Sequence, residues 1–240
     1  EPYVDWQIKT NYMYRNDLML LDFIATNNWE RPLYFANPSS VSQVLDVDPY
    51  CHLEGFVYRF LPVRADNYIK GLGGLNTEAS YDILMNKCKW GNLNDPRVTI
   101  DRESTRNTMI PKQNFMRLVE ALMEEKKEDE AVRVTDRVLE IFPNEKLPFD
   151  LYMIPFLEIY YQAGEIEKAN RMNEILVKNY KENINYYQSL SHGFAEYYSE
   201  DQEQAFMVLN RLGELAREYE QIPLADRIDG IVKEKLELLK

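Results

Sequence analysis

From Pro111 onward, apolar residues recur at helical spacing in paired runs separated by short polar turns. Phe115, Leu118, Val119 and Leu122 line one helix, Glu125 to Glu128 make a polar turn, and Ala131, Val134, Val138 and Ile141 line a second helix that Pro143 ends. Two amphipathic helices joined by so short a turn bury their apolar stripes against each other and against a neighbouring pair, so this part of the chain is committed to stacked helical hairpins. Met153, Phe156, Tyr160, Gly164 and Ala169 repeat the pattern, with Ala169 lying 38 residues beyond Ala131.

Set against the roughly 34-residue tetratricopeptide pattern, Phe115, Leu118, Leu122, Ala131 and Pro143 fall on signature positions, and Thr135 stands where a large apolar residue is usual. A third, degenerate unit is expected around Gly193 and Ala205, with Ser189, His192 and Glu196 at places that ask for apolar residues. Leu224, Ile228, Ile231, Val232, Leu236 and Leu239 form a last amphipathic helix suited to cap the array. If the first helix of each hairpin lines a concave face, that face holds Met116, Glu120 and Met123, then Glu158 and Tyr161, then Tyr187, Phe194 and Tyr197. These are the candidate binding residues for a protein or peptide partner, with rings supplying buried area and carboxylates orienting basic or amide groups. The same side chains are equally suited to packing against the first part of the chain.

The first 110 residues read differently. Asp17 is placed to cap a helix lined by Leu18, Leu21, Ile24 and Ala25, which Asn27-Asn28 stops. After Pro32, Leu33 to Ala36 has the look of a short strand, and Phe56 to Val63, opened by Gly55 and limited at Pro62, is a second that pairs with it. Val41 to Leu53 reads as weak helix or loop, Gly71-Leu72-Gly73-Gly74 as a flexible turn, and Tyr81 to Met85 as helix. The expected fold is mainly α: a small α+β unit over 1–110, then tetratricopeptide-like antiparallel helical hairpins, an α-solenoid, over 111–240 with a C-terminal capping helix.

The net charge of −12 repels phosphate backbones, and no Lys/Arg cluster stands out, so no nucleic acid is expected as a partner. Residues 1–111 hold 11 basic and 14 acidic side chains and residues 112–240 hold 17 and 26, so the helical part is the acidic one. No stretch approaches the roughly 18 to 20 apolar residues of a membrane span, and nothing at the start resembles a signal peptide. Beginning at Glu1-Pro2 without an initiator Met, the chain reads as a piece of something longer. Cys51 and Cys88 are too few and too far apart for a zinc site, which leaves buried thiols or a disulfide. His52 and His192 have no catalytic motif around them, and the glycine run lacks the lysine of a phosphate-binding loop. Asp46, Asp48, Glu54 and Asp101 read as solvated or ion-paired carboxylates, with Arg31, Arg59 and Arg106 as partners. No catalytic residue, metal or cofactor is expected.

The phrases IATNNWERPLYFA (24–36), LEGFVYRFLPV (53–63) and YDILMNKCKWGN (81–92), followed by LPFDLYMIPFLEIYYQAGEIEKAN (147–170), resemble the C-terminal region of a bacterial family of multi-pass membrane proteins common in Bacteroidetes. That family, long described only as a domain of unknown function, resembles protein O-mannosyltransferases. The resemblance implies that catalysis resides in a membrane-embedded core outside this chain, so it carries no catalytic residue over. It implies a non-catalytic interaction or scaffold domain on the periplasmic or extracytoplasmic face, with cytoplasm as the alternative, holding acceptor polypeptide or docking on the core of the same parent chain. Trp29, Arg31, Pro32, Tyr34, Glu54, Tyr58, Arg59 and Trp90 match its motifs and read as structural, with Trp29, Tyr34, Phe35 and Phe56 the simplest core joining strands and helix. A glycan- or nucleotide-sugar-binding or catalytic unit built on Asp101, Glu54 and Arg59 is the alternative, and a free-standing helical-repeat scaffold the weaker one.

Overall fold

The computed structural model describes residues 8, 10–40 and 44–237, so Val41 and Leu239 of the readings above lie outside the described residues. It divides into two compact units, Glu1–Lys89 and Trp90–Lys240. Residues 90–110, expected in the first unit, therefore stand with the helices.

In the first unit, α1 (Arg15–Thr26) begins after Tyr14. Asp17 sits inside the first turn, where its Oδ2 accepts the Tyr14 N–H at 2.8 Å, so it caps the helix from the third position and not from the boundary. Asn28 and Trp29 then take left-handed φ values of 46° and 60°, which ends the helix and turns the chain toward Pro32.

The strands are β1 (Leu33–Phe35), β2 (Cys51–Glu54), β3 (Val57–Phe60) and β4 (Gly74–Leu75), ordered β1-β3-β2-β4. The expected pairing of β1 with the Phe56–Val63 segment is present, with Leu33 opposite Phe60 and Phe35 opposite Tyr58. β2, which falls in the stretch read as loop, forms a two-residue hairpin with β3 in which Glu54 faces Val57. Gly55 has φ 69° at that turn, and a Cβ there would meet Ile83 Cγ2 at 2.4 Å, so this position is closed to other residues.

β4 pairs parallel to β2, and Asn67 locks it by donating to the Leu75 carbonyl at 3.0 Å and accepting the Leu75 N–H at 2.9 Å. Of the glycine run, Gly71 and Leu72 form the expected turn, Gly73 bridges to Ile69, and Gly74 enters the sheet. α2 (Thr77–Asp82) follows, capped by Asn76 and continued by a π-helical turn over Ile83–Lys87. Phe35, Leu45, Val47, Tyr50, Cys51, Leu53, Phe60 and Leu84 form the core beneath the sheet.

The second unit opens with α3 (Arg102–Asn107), capped by Asp101, which packs on α4 (Met109–Glu124). Three helical hairpins follow: α4 with α5 (Glu128–Ile141), α6 (Ile154–Gln162) with α7 (Ile166–Ser189), and α9 (Ser199–Glu218) with α10 (Ile222–Glu237). α8 (His192–Tyr197) is a single short helix between the second and third.

The three hairpin turns share one geometry. Lys126, Gly164 and Glu220 have φ values of 59°, 76° and 62°. The next N–H, of Lys127, Glu165 or Gln221, reaches back five residues to the carbonyl of Leu122, Tyr160 or Ala216 at 2.8, 2.8 and 2.7 Å. This is the Schellman closure. Ala131, Ala169 and Ala225 each follow the left-handed residue by five positions and are fully buried.

The third hairpin is therefore not where the sequence reading placed it. Its buried alanine is Ala225, 56 residues beyond Ala169, and the expected Ala205 lies on its first helix. α7 runs on for 24 residues to Ser189 and α8 is inserted after it, which displaces the next unit. α10, expected as a cap, is the second helix of that hairpin, and Gly213 lets it approach, with Ile228 Cγ2 at 3.4 Å from where a Cβ would stand.

Neighbouring hairpins are joined by partly buried polar ties. Tyr160 donates to Asp136 Oδ1 at 2.6 Å while Lys168 pairs with the same carboxylate at 2.9 Å, linking the first hairpin to the second. Asn170 donates to Gln221 Oε1 at 2.8 Å, linking the second to the third.

Candidate functional site

In the second unit the expected concave residues separate into three groups. Met116 and Met123 are half-buried on α4, and Glu120 is exposed on the same helix. Desolvation, together with the charges of Glu124 and Glu158, pushes the Glu120 carboxyl above its ordinary value, against the opposing pull of Arg117. Glu158, whose charge reaches Glu120, is tied to α9 by Arg211 at 2.8 Å.

Beside this ion pair an open groove of about 360 Å³ lies between the start of α6 and α9. Leu151, Ile154, Met207 and Val208 form its apolar floor, and Glu200, Glu203, Gln204 and Arg211 its polar edge. Met207 is 65% exposed, an apolar side chain held open to solvent by a helix whose other face is core. The sequence reading missed Leu151, Ile154 and Met207. The signal was present for Leu151 and Ile154, which flank the buried Met153 where a turn leads into α6.

Tyr161 is a correction. It is only 2% exposed, its ring stacks on Tyr219 at 4.8 Å, and its hydroxyl donates to Asn170 at 2.9 Å, so it is core between the second and third hairpins and not a groove residue. Tyr187, Phe194 and Tyr197 also leave the groove, since Tyr187 stands near the end of α7 and the other two on α8. There Tyr187 stacks on Tyr198 at 5.7 Å, Tyr186 and Tyr197 meet that pair edge-on, and Phe194 is exposed on the same short helix.

In the first unit the motif residues divide by strand register. Tyr58 faces inward with Phe35 and Phe60. Tyr34 lies opposite Arg59, and Arg59 opposite His52, so these three share the other, partly solvated face. Arg59 pairs with Glu54 at 3.7 Å, as the sequence reading allowed, and Asn76 donates to the same carboxylate at 3.2 Å.

Trp29, Tyr34 and Phe56, expected in the core, are all partly exposed, and Trp29 only lies against the core through a stack on Phe60 at 5.7 Å. Phe60, Tyr50 and Leu53 take the core role instead, Leu53 coming from β2, the third strand that the two-strand reading lacked. Arg31 and Pro32 are exposed, with the Arg31 carbonyl held by Asn27 at 2.7 Å.

Trp90 belongs to the second unit, where it packs on Phe115 at 5.3 Å and edge-on against Phe142 at 6.0 Å. Asp101 also lies there, accepting the Ser104 N–H as a helix cap, which lowers its pKa. Cys51 is buried and Cys88 partly exposed, and neither is in a disulfide. Burial first, and the nearby Asp48 charge second, push the Cys51 thiol up to about 12, so it is an inert core thiol.

Among the described residues no group of three or more His, Cys, Asp or Glu is arranged to hold a metal ion, and no helix is long and apolar enough to cross a membrane. No curated protein and no solved structure matches the chain. The family model described as TMEM260-associated domain 2 matches residues 1–79, about a third of the chain, which is consistent with a domain of a TMEM260-like, protein O-mannosyltransferase-like family.

Proposed function

We propose that this chain is a non-catalytic interaction module of a TMEM260-like membrane protein, facing outward from the membrane, and that its helical hairpins hold a polypeptide. The observation that carries the second half is the groove between α6 and α9, with an exposed apolar floor at Ile154 and Met207 and carboxylates at its edge. Its shape suits a segment that inserts aliphatic or aromatic anchors and carries basic residues toward Glu200, Glu203 and the Glu120–Glu158 pair. The family match over residues 1–79 supports a membrane-protein parent, and the three equal turns with their buried alanines support reading the hairpins as tetratricopeptide-like repeats.

Selection of a random 12-mer peptide library is expected to enrich peptides that combine apolar anchors with Lys or Arg. Their affinity should fall by about tenfold or more on Ile154→Asp with Met207→Asp. Enriched peptides that bind the double variant unchanged would remove the groove from the reading.

The alternative of a sugar site in the first unit has one observation in its favour, the row of Tyr34, Arg59 and His52 across the open sheet face. A glycan titration followed by tryptophan fluorescence tests it, and no response at millimolar ligand counts against it.

A further inference from the structure

The end of α7, the short helix α8 and the residue that leads into α9 carry Tyr186, Tyr187, Phe194, Tyr197 and Tyr198. The four tyrosine rings touch one another. Tyr187 lies on Tyr198 at 5.7 Å, Tyr186 meets both at steep angles at 5.6 and 6.4 Å, and Tyr197 meets Tyr198 at 5.0 Å. These contacts fix the rings in place, yet Tyr197, Phe194 and Tyr186 are 78%, 65% and 54% exposed. A ring as open as Tyr197 has a π-face in solvent.

The charge around the rings has one sign. From Glu182 to Asn210 the chain has no Lys or Arg and five carboxylates, Glu182, Glu196, Glu200, Asp201 and Glu203. Lys235, whose carbonyl accepts from Gln188, pairs its ammonium with Glu234 at 3.3 Å. Burial first, and then the Asp201 charge, push the Tyr187 hydroxyl above its ordinary value, so the field of the carboxylates reaches the rings. The cluster also stands at the negative, C-terminal end of α7, a helix of 24 residues with no basic side chain in its last turn. α9 begins beside it with the positive end of its own dipole, which Glu200 and Asp201 in its first turn offset.

We infer that this tyrosine cluster binds arginine side chains of a polypeptide partner, a proposal that rests on the reading of the hairpins as a peptide-holding surface and adds a site outside the groove. An aromatic face attracts a cation through its quadrupole. Guanidinium suits it better than ammonium, because it is planar and weakly hydrated and can stack on a ring while donating to a carboxylate. The same charge selects against other occupants, since a second copy of the chain at net −12 and an anionic lipid surface would both be repelled. Glu200 edges the groove between α6 and α9 and lies two residues past Tyr198, so a segment that fills the groove can continue onto the rings.

The test uses the 240-residue chain and a fluorescein-labelled peptide of four Gly-Ser-Arg units, with matched peptides carrying Lys or citrulline in place of Arg, read by fluorescence anisotropy. The lysine peptide should bind severalfold more weakly than the arginine peptide, and the citrulline peptide, planar but uncharged, about tenfold more weakly or worse. Tyr186→Ser with Tyr197→Ser leaves the charge of the chain unchanged and should weaken the arginine peptide by about tenfold with unchanged circular dichroism, whereas Tyr186→Phe with Tyr197→Phe keeps the rings and the affinity. A serine variant that binds unchanged overturns the proposal, since only general attraction to an acidic protein is then left. So does a citrulline peptide, or a neutral proline-rich peptide, that binds as tightly as the arginine peptide. The probe has no apolar anchor, so it can fail while the groove still binds its selected peptides, and those can fail while the probe binds.

Discussion

Glu220 occupies in the third hairpin the position that Lys126 occupies in the first: each is the left-handed residue of a Schellman turn, with φ 62° and 59°. In the second hairpin the same position is Gly164, with φ 76°. A side chain in this conformation brings its Cβ against the neighbouring carbonyl and costs about 1 kcal/mol, which glycine avoids. Lys126→Gly and Glu220→Gly are each expected to raise stability by about 0.5 kcal/mol, since the greater freedom of glycine in the unfolded chain offsets part of the gain. Gly164→Ala should lower it by about 1 kcal/mol. Urea unfolding of the three variants checks the sign at each turn, and a loss in both glycine variants would mean that the turns are not equivalent.

Thr135 and Asn173 stand at corresponding places on α5 and α7, 38 residues apart, and both are fully buried. Asn173 donates to the Leu212 carbonyl at 3.2 Å, so it ties the second hairpin to the third. The Thr135 hydroxyl has no hydrogen-bond partner. Removing an unsatisfied buried hydroxyl while keeping the shape should stabilise by about 1 kcal/mol. Thr135→Val is therefore expected to raise the urea midpoint, and Asn173→Val to lower it.

Gly74 lies where the sheet leaves no room. A Cβ there would stand 2.1 Å from the Ala65 Cβ and 2.8 Å from Asn67 Oδ1, the atom that holds the Leu75 N–H. Gly74→Ala should cost about 2 to 3 kcal/mol by overpacking. Gly71→Ala, with open space around the added carbon and only its φ of 83° against it, should cost about 1 kcal/mol. Parallel thermal melts separate the two, and equal losses would show that backbone conformation and not space decides Gly74.

The raised pKa of Glu120 gives a pH dependence of definite sign. The fold favours the neutral carboxyl, so the stability that Glu120 contributes is fully present below its unfolded pKa and is lost as pH rises through the raised folded value. Glu120→Gln should be more stable than the wild type at neutral pH, with the difference gone near about pH 3, below the ordinary glutamate range. Glu158→Gln should bring the Glu120 titration down toward its ordinary value, measurable by NMR, because one of the charges raising it is removed. An unmoved titration would mean that desolvation and the Glu124 charge set it without Glu158.

Much of the helical unit was legible because the forces that shape it act over a few residues. The stripe of Phe115, Leu118 and Leu122, the polar turn after it and Ala131 beyond all lie within one hairpin, and each can be read from neighbours in sequence. The pairing of Leu33–Phe35 with Val57–Phe60 was legible for the same reason, both segments being rich in aromatic residues and bounded by Gly or Pro. Cys51–Glu54 was not, because a four-residue strand of mixed character becomes one only through β3 on one side and β4 on the other.

The third hairpin shows where local reading stops and what it left on the page. No Gly or Pro interrupts Ile166 to Ser189, so α7 had no local reason to end after one repeat length, and Leu212, Gly213 and Ala225 carried the repeat spacing farther on. For the candidate site, sequence put Glu120 and Glu158 on α4 and α6, close enough for the charge of Glu158 to raise the Glu120 carboxyl. It had no means of seeing Tyr161 buried, since the ring that covers it, Tyr219, comes 58 residues later.

The sequence by itself determined the helix faces, the turns and the change from a mixed unit to helical hairpins, all set by contacts within a few residues. Only the tertiary structure decided which of those faces are covered: Tyr161 by a distant ring, the floor at Ile154 and Met207 left open between α6 and α9, and α1 left with its apolar residues in solvent. Burial depends on what packs opposite, and residues far apart in the chain meet there under no rule that spacing along it can express.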